Sequence, residues 1–251
     1  SEPSLKKVTN EISKQYLNLG LYSATIETKV TPQERNRVAI DFYINEGSTA
    51  RIKEVKIIGI TKFDEDDLLS RLDLKTTNFM SWWNKDDRYS RQVLTGDLEK
   101  IRSFYMDRGY LDFDIENTTV SISETKKNVY IAIIIDEGNK YNFGDIKISG
   151  KFYPLKEESI FQNDIKTIKG EVFSRKLLNQ STESINQELG NYGYAFSNVN
   201  PIPDVDKDNL TVGFNYFIEP GKKVYVRRIS FIGNETTQDK VLRREMRQFE
   251  S

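Results

Sequence analysis

The stretch DEGNKYNFGDIKISG, residues 136–150, decides the fold because the chain repeats its layout twice more. The same layout appears as NEGSTARIKEVKIIG at 45–59 and as EPGKKVYVRRISFIG at 219–233. Each copy has a glycine in third place and another glycine twelve residues later. Self-similarity of this kind indicates a row of copies of one supersecondary unit. The sequence therefore predicts a repeat array, an architecture that typically provides binding surfaces.

The part of the chain between 48 and 137 shows the order of elements within one unit. Alternating apolar residues predict a first strand over 51–59, and an acidic run from Asp64 predicts the start of a helix. A longer helix and two strands, at about 111–122 and 128–136, complete the unit. The helix is predicted by apolar residues at spacings of four, three and four, namely Leu94, Leu98, Ile101 and Tyr105.

We therefore predict an α+β fold made of tandem units of order β-α-α-β-β. Each unit should hold a three-stranded mixed sheet and two helices, with Gly20, Gly109 and Gly193 as the recurring stops of the second helix. Positive φ is expected at Gly109 and Gly193, where a residue without Cβ is least strained.

The repeat spacing divides the chain into four parts, which we name here. Residues 1–47, the N-terminal segment, form the C-terminal part of a unit. Residues 48–137, the central module, and 138–220, the distal module, are complete units. Residues 221–251, the C-terminal segment, open a further unit with a strand that ends at Gly233 and a helix over 237–248.

Composition excludes several classes of function. The 251 residues include 37 Lys and Arg against 38 Asp and Glu, so no net charge attracts nucleic acid or anionic lipid. The chain contains no His and no Cys, which excludes thiol nucleophiles, His-based proton transfer and the usual zinc sites. We expect no enzyme activity, no cofactor and no metal. Without an initiator Met, a signal peptide or a long apolar run, the chain has the character of a soluble fragment of a longer protein.

Two stretches leave other functions open. The acidic run 64–67 could serve a carboxylate-based hydrolase or a calcium site, although solvated acids at a helix N-terminus explain it better. The basic and aromatic stretch 222–228 is the sequence that a nucleic-acid-binding alternative would use. A hydrolase is kept as a remote alternative.

The repeated marks resemble the POTRA (polypeptide-transport-associated) module of the Omp85 family. The resemblance covers essentially the whole chain, and its four parts resemble the latter half of a second module, complete third and fourth modules, and the opening of a fifth. It is carried by the Gly-Tyr pairs after the second helix, the Glu-Gly strand end and three longer stretches: Gly109-Tyr110, Gly193-Tyr194, Glu137-Gly138, and the stretches that start at Trp82, Glu219 and Phe231.

This resemblance implies a periplasmic scaffold of the machine that assembles outer-membrane β-barrel proteins in a Gram-negative bacterium. The implied partners are accessory lipoproteins and unfolded outer-membrane protein clients, without nucleic acid, and contact with the membrane would run through a C-terminal barrel that is absent here. The implied binding route is β-augmentation, in which an extended chain adds to a sheet edge. A POTRA region from another Omp85 translocation or secretion protein is the alternative.

In the POTRA fold the third strand of a unit is central and the second is an edge, which directs attention to one strand per module. The distal module has Pro201 and Pro203 in its second strand, which marks a protected edge. The central module has no proline there, and its apolar parity changes between Ile115 and Val120, which suggests a bulge or twist. We therefore predict docking at the central module.

The predicted docking site combines this edge with the end of the first helix. Leu74 lies off the core-facing spacing and is expected on the surface. Trp82 and Trp83 are expected to anchor their loop onto their own module. The candidate protein-binding residues are Leu72, Leu74, Lys75, Thr118, Thr119, Val120, Ser121 and Ile122, with a possible second partner surface at Arg243, Arg244, Glu245 and Arg247.

Overall fold

The computed structural model describes residues 2–35, 37–76, 87–150 and 158–246, in two units, Ser1–Asn139 and Lys140–Ser251. Among these residues no helix has the length and apolar character needed to cross a membrane. The first unit contains α1 (Glu2–Asn18), β1 (Thr25–Gln33), β2 (Arg37–Asn45), β3 (Arg51–Ile58), α2 (Glu65–Arg71), α3 (Arg91–Met106), β4 (Asp114–Ile122) and β5 (Asn128–Asp136). The second contains β6 (Asn142–Gly150), a 3-10 helix (Glu158–Phe161), α4 (Arg175–Asn191), β7 (Asn198–Asp206), β8 (Thr211–Glu219) and α5 (Asp239–Glu245).

The central module has the predicted order of elements and the predicted mixed sheet. Its strand order is β3-β5-β4, with β3 parallel and β4 antiparallel to the central strand β5. The Asp64 side chain caps α2 by accepting the Asp66 N–H at 2.8 Å. Leu94, Ile101 and Tyr105 of α3 are buried against the sheet. The prediction of the α+β fold is confirmed.

The distal module repeats this topology with the strand order β6-β8-β7. Ile185 and Leu189 of α4 are fully buried, as their counterparts in α3 are. Where the repeat predicts a first helix, the described residues contain the single turn of 3-10 helix, while 151–157 lie outside the description.

The repeated glycines share one backbone property, because all nine have positive φ. Gly109 and Gly193 follow α3 and α4 with φ of 103° and 91°, which confirms the prediction for both. Gly59 has a second constraint, since a Cβ at this position would clash with the carbonyl oxygen of Ile135. Left-handed backbone and close approach together explain why glycine recurs.

The C-terminal segment corrects one prediction and shortens another. The predicted strand is absent from residues 221–233, which pair with no strand among the described residues. An isolated strand would leave its backbone hydrogen-bonding groups unsatisfied. The helix expected over 237–248 is observed at Asp239–Glu245, and residues 247–251 lie outside the description.

The N-terminal segment is held onto the central module by a short joint. The Ala50 N–H donates to the carbonyl oxygen of Gly20 at 2.9 Å, and the rings of Tyr22 and Tyr89 stack with centroids 6.1 Å apart. A Cβ on Gly20 would clash with the carbonyl oxygen of Tyr89. This close approach brings the C-terminal end of α1 next to the sheet of the central module, beside β4.

Candidate docking edge

Along its outer edge, β4 has backbone N–H and C=O groups that no described residue pairs with. The hydrogen bonding at the β4–β5 hairpin shows which residues carry these groups. The Ser123 N–H donates to the Asn128 carbonyl at 2.9 Å, so these two residues form a hydrogen-bonded pair. Pairs that bond toward the partner strand alternate with pairs that face away from it in an antiparallel ladder. The register continues without a shift from Ile122 to Asn117, so Thr118, Val120 and Ile122 direct their N–H and C=O groups to the open edge. No described residue pairs with this edge.

A bulge at the start of β4 explains the change in apolar parity. The register shifts between Ile115 and Asn117, which leaves Glu116 as the extra residue. Ile115 before the bulge and Val120 after it are both partly buried against the core of the central module. The predicted bulge is confirmed, and the side chains at 118, 120 and 122 consequently share the face of the sheet that carries the helices.

The corresponding edge of the distal module is closed by its prolines. Pro201 and Pro203 pair with Tyr216 and Phe214 in a register without any shift along β7. A proline nitrogen lacks a hydrogen, so an unbroken ladder requires both nitrogens to face away from β8, toward the outer edge. The predicted protection therefore has a definite cause: two of the outward donors of β7 are missing.

The other outer strand of the central sheet is occupied by the protein itself. A carboxylate oxygen of Glu65 accepts the Ile57 N–H of β3 at 2.8 Å. At the start of β3, the backbone of Arg51 forms an isolated antiparallel β-bridge with the backbone of Arg88. Within the described residues, β4 is consequently the more accessible of the two edges of this sheet.

A cleft of about 480 Å³ opens directly beside the free edge of β4. Thr118, Val120 and Ile122 form one wall, and Leu94 and Leu98 of α3 form another. The N-terminal segment closes the cleft with side chains from the end of α1 and the residues after it, including Leu17 and Tyr22. The cleft thus joins apolar side chains of two repeats to one row of open backbone groups.

The mouth of the cleft carries positive charge. Arg91, at the start of α3, is exposed and lines the cleft beside Tyr22 and Tyr89. Burial and the neighbouring Tyr89 raise the pKa of Tyr22 to about 12, against a smaller opposing effect of Arg91. Burial also raises the pKa of Tyr89. Both phenols are neutral near pH 7, so Arg91 supplies the charge at this point.

Leu72 and Leu74 do not belong to this surface, and the expectation that Leu74 is exposed is wrong. Both leucines are core residues, with 3% and 4% of their surfaces accessible. The helix ends at Arg71, and the buried carboxylate of Asp97 then accepts the N–H groups of Asp73 and Leu74, each at 2.8 Å. These bonds turn the chain inward, so the helical spacing used for the expectation no longer applies.

Comparison with known proteins identifies the family of this repeat. The sequence profile of the POTRA family, described as a surface antigen variable number repeat, matches residues 1–47, 50–138 and 141–221. The chain belongs to the POTRA family. Its fold also resembles the crystal structure of Haemophilus influenzae BamA POTRA3-5, with a TM-score of 0.64 and 24% identity over 80% of this chain and 78% of that one.

Two curated relatives are outer membrane protein assembly factors named BamA. The protein of Neisseria meningitidis serogroup B is 31% identical over 252 residues, which cover all of this chain and 31% of the relative. The protein of Buchnera aphidicola is 33% identical over 97% of this chain and 39% of the relative. The chain thus spans between three and four tenths of the length of these relatives.

The remaining predicted site residues have local structural partners in this POTRA chain. The Lys75 ammonium donates to the carbonyl oxygens of Leu69 and Ser70, at 3.2 and 2.7 Å, and so caps α2. Thr119 and Ser121 are exposed, and in the alternating ladder their backbone groups face β5. Neither residue contributes a backbone group to the open edge.

The possible second surface on α5 is partly engaged within the C-terminal segment. Arg243 donates to the carbonyl oxygen of Ile229 at 2.9 Å, and its guanidinium lies 5.6 Å from the ring centre of Phe231. Arg244 lies 3.5 Å from the neighbouring Glu245 carboxylate. Arg247 lies outside the described residues, as do Trp82 and Trp83.

The acidic run 64–67, on which the hydrolase alternative depended, contains three side chains with structural partners. Asp64 caps α2, Glu65 binds the backbone of β3, and Asp67 pairs with Arg71 at 3.0 Å. Among the described residues, no group of three His, Cys, Asp or Glu side chains has the geometry to hold a metal ion. Three of the four carboxylates in the run 64–67 thus have structural partners.

Glu137 is a buried polar residue whose role we did not predict from the sequence. Its carboxylate accepts the Thr61 hydroxyl, the N–H groups of Thr61 and Lys62 at 3.0 and 3.1 Å, and the Tyr105 hydroxyl at 2.9 Å. Burial alone would raise the pKa of Glu137, but these hydrogen bonds outweigh it and hold the pKa below its ordinary value. Two features of the sequence could have predicted this role. They are an acidic residue directly before the glycine at the strand end and a tyrosine on the core face of α3.

Proposed function

We propose that this POTRA array is a non-enzymatic periplasmic scaffold for the assembly of outer-membrane β-barrel proteins. Its relatives in Neisseria and Buchnera carry the name of an outer membrane protein assembly factor, which supports the proposal. The proposed partners are accessory lipoproteins and unfolded outer-membrane proteins. The proposed boundaries of the four parts are 1–47, 48–137, 138–220 and 221–251, as the latter part of a second module, a third, a fourth and the start of a fifth.

Docking is proposed at the free edge of β4 by β-augmentation. The observation that carries this proposal is the set of three outward-facing backbone positions, Thr118, Val120 and Ile122, in a strand without proline. An extended partner can exchange main-chain hydrogen bonds with each of them. Main-chain bonding tolerates many sequences, which suits a scaffold whose clients share strand character rather than one motif.

The deciding experiment replaces Val120 with proline in the 251-residue chain. The substitution removes an outward donor and fills the edge with a ring, while the ladder to β5 needs no N–H from this position. We expect calorimetric titration with an extended outer-membrane-protein peptide or an accessory lipoprotein to show loss of binding. Circular dichroism should show an unchanged fold.

A matched control exists on the other edge strand. Val205 of β7 lies two residues beyond Pro203, so its N–H also faces outward, and Val205→Pro should leave affinity within about twofold of the unmodified chain. Thr119→Pro is the opposite control, since its N–H faces β5 and its loss should disturb folding. Full affinity in a folded Val120→Pro variant would exclude the β4 edge from the site.

A further inference from the structure

The geometry of β4 determines which side chains of an added strand point into the cleft. Thr118, Val120 and Ile122 direct their backbone N–H and C=O groups to the open edge and also present their side chains to the cleft. In an antiparallel addition, residues directly opposite each other point to the same face of the sheet. Alternate residues of an incoming strand must therefore point into the cleft, and those between them must point to the opposite face.

The lining of the cleft indicates which side chains fit. Leu94 and Leu98 of α3 and Leu17 of α1 are apolar, and Leu17 remains 44% exposed. On the opposite face of β4, Thr119 and Ser121 are polar and exposed. A strand with apolar residues toward the cleft and polar residues between them would match both faces.

Charge complements this pattern at one end of the strand. Arg102 lies 3.3 Å from Asp114, so the later part of α3 lies beside the start of β4. The start of α3, with Arg91, consequently lies toward Ile122. No acidic side chain among the described residues pairs with Arg91, which is exposed at the mouth of the cleft. An acidic residue near this end of the incoming strand could form that pair.

We propose that the β4 edge and the cleft select an amphipathic strand of an unfolded partner, with alternating apolar residues and an acidic residue at the end beside Arg91. The N-terminal segment takes part in this selection through Leu17 and Tyr22, so recognition requires two consecutive repeats. This inference rests on the proposed docking at β4. It adds a preferred pattern, a preferred charge and a second contributing repeat.

The first test compares two short peptides of identical composition by calorimetry with the full chain. One peptide alternates Leu or Val with Ser or Thr behind an N-terminal Glu, and the other contains the same residues with the apolar ones in a block. We expect the alternating peptide to bind at least about tenfold more tightly, because two or three of its apolar side chains enter the cleft. Equal affinities would overturn the proposed selection.

Two neighbouring leucines provide a matched test of the N-terminal segment. Leu17 lines the cleft, whereas Leu19 does not and is 60% exposed. Leu17→Ser should weaken binding of the alternating peptide by about three- to tenfold, and Leu19→Ser should change it less than about twofold. Equal effects of the two substitutions would remove the N-terminal segment from the site.

Charge and strand direction are tested with Arg91→Gln. The unmodified chain should prefer Glu to Gln in the peptide by about threefold, and this preference should vanish in the variant. In antiparallel addition the N-terminal end of the peptide lies near Ile122, so a peptide with Glu at its C-terminal end should show no such preference. Retention of the Glu preference in the variant would exclude Arg91.

These outcomes separate the selection from the docking itself. Loss of all binding in Val120→Pro, with equal affinities for both peptides and no effect of Leu17→Ser, would support docking and reject the selection. Binding of both peptides to a folded Val120→Pro variant would reject docking at β4. Self-association of the chain without peptide, detected by light scattering and abolished by Val120→Pro, would assign the edge to a second copy and overturn the proposed partner.

Discussion

The two edge strands β4 and β7 have the same place in the same topology, but their outward backbone groups differ. Ile131 and Phe214 both lie seven residues before the glycine that follows their module, and they pair with Val120 and Pro203 respectively. At the next outward-facing pair, two residues away, Thr118 of β4 corresponds to Pro201 of β7. Two prolines thus remove the two central outward donors of this edge strand. Repeats of one fold can therefore be specialised at a single edge strand.

The largest expected effect on affinity comes from exchanging these residues between the strands. In a Val120→Pro background, Pro201→Thr combined with Pro203→Val should restore two outward donors to β7. We expect this variant to gain affinity for an extended peptide by about ten- to hundredfold, since each net hydrogen bond is worth about 1 kcal/mol. Calorimetry with the full chain measures the gain.

The single substitution Pro203→Val in the same background should recover a smaller part of the affinity. An intermediate affinity is expected if each restored N–H donor contributes to binding. Removal of the prolines could instead loosen β7 in general, and faster hydrogen exchange along β8 would detect such loosening. If the double substitution gives a folded chain without binding, then open donors alone do not make a docking edge. The cleft beside β4 would in that case be an essential part of the site.

The sequence predicted the sheet topology and the edge because these depend on repeating properties. Positions that need positive φ or close backbone approach recur as glycines, and the core face of α3 recurs in α4. The bulge in β4 was also readable, because Ile115 and Val120 differ in parity along a strand that must keep one face buried.

The features that sequence reasoning missed depend on contacts between distant residues. Leu74 is buried because Asp97, 23 residues away, accepts its N–H group. The cleft requires Leu17 and Tyr22 of one repeat to meet α3 of the next. No local pattern encodes either contact, although a buried carboxylate on the apolar face of α3 was a sign that some backbone would bind to it.

The second expected effect tests whether the two modules have equivalent cores. Ile101 and Ile185 occupy the same helical position, and 1% and 0% of their surfaces are accessible. Replacing either with Ala should reduce the free energy of unfolding by about 2–4 kcal/mol through cavity formation. Because Trp82 and Trp83 both belong to the central module, urea unfolding followed by tryptophan fluorescence reports Ile101→Ala, and circular dichroism reports both substitutions.

A cost for Ile185→Ala well below that for Ile101→Ala would break the comparison at the level of the core. The modules would then differ in packing as well as in edge chemistry.

The third effect concerns a polar network that the distal module replaces with apolar residues. Glu137 and Tyr105 of the central module correspond to Pro220 and Leu189 of the distal one. The hydrogen bonds to Glu137 lower its pKa in the folded state below the ordinary value of 4.5. Its contribution to stability is therefore complete above that value and is lost as the pH falls through the folded-state pKa.

We accordingly expect acidification from pH 7 to below 4 to destabilise the central module through this group, and Glu137→Gln to reduce that dependence. At pH 7 the substitution should cost about 1–3 kcal/mol, since Gln cannot accept all four hydrogen bonds. Urea unfolding monitored by tryptophan fluorescence at several pH values measures both quantities. An unchanged pH dependence in Glu137→Gln would assign the acid sensitivity to other carboxylates.

The smallest effect tests how far the β4 site extends across the central module. The Lys75 ammonium donates hydrogen bonds to carbonyl oxygens in the last turn of α2. These bonds make it less available to pair with an acidic group of a partner. Lys75→Ala should therefore lower the free energy of unfolding by less than about 1 kcal/mol, as expected for a partly exposed cap. Peptide affinity should stay within about twofold, whereas Arg91→Gln should weaken binding of the Glu-containing peptide by about threefold. A larger loss of affinity in Lys75→Ala, measured by calorimetry on the folded variant, would extend the docking site to the end of α2. Both Lys75 and Arg91 would then contribute positive charge to partner binding.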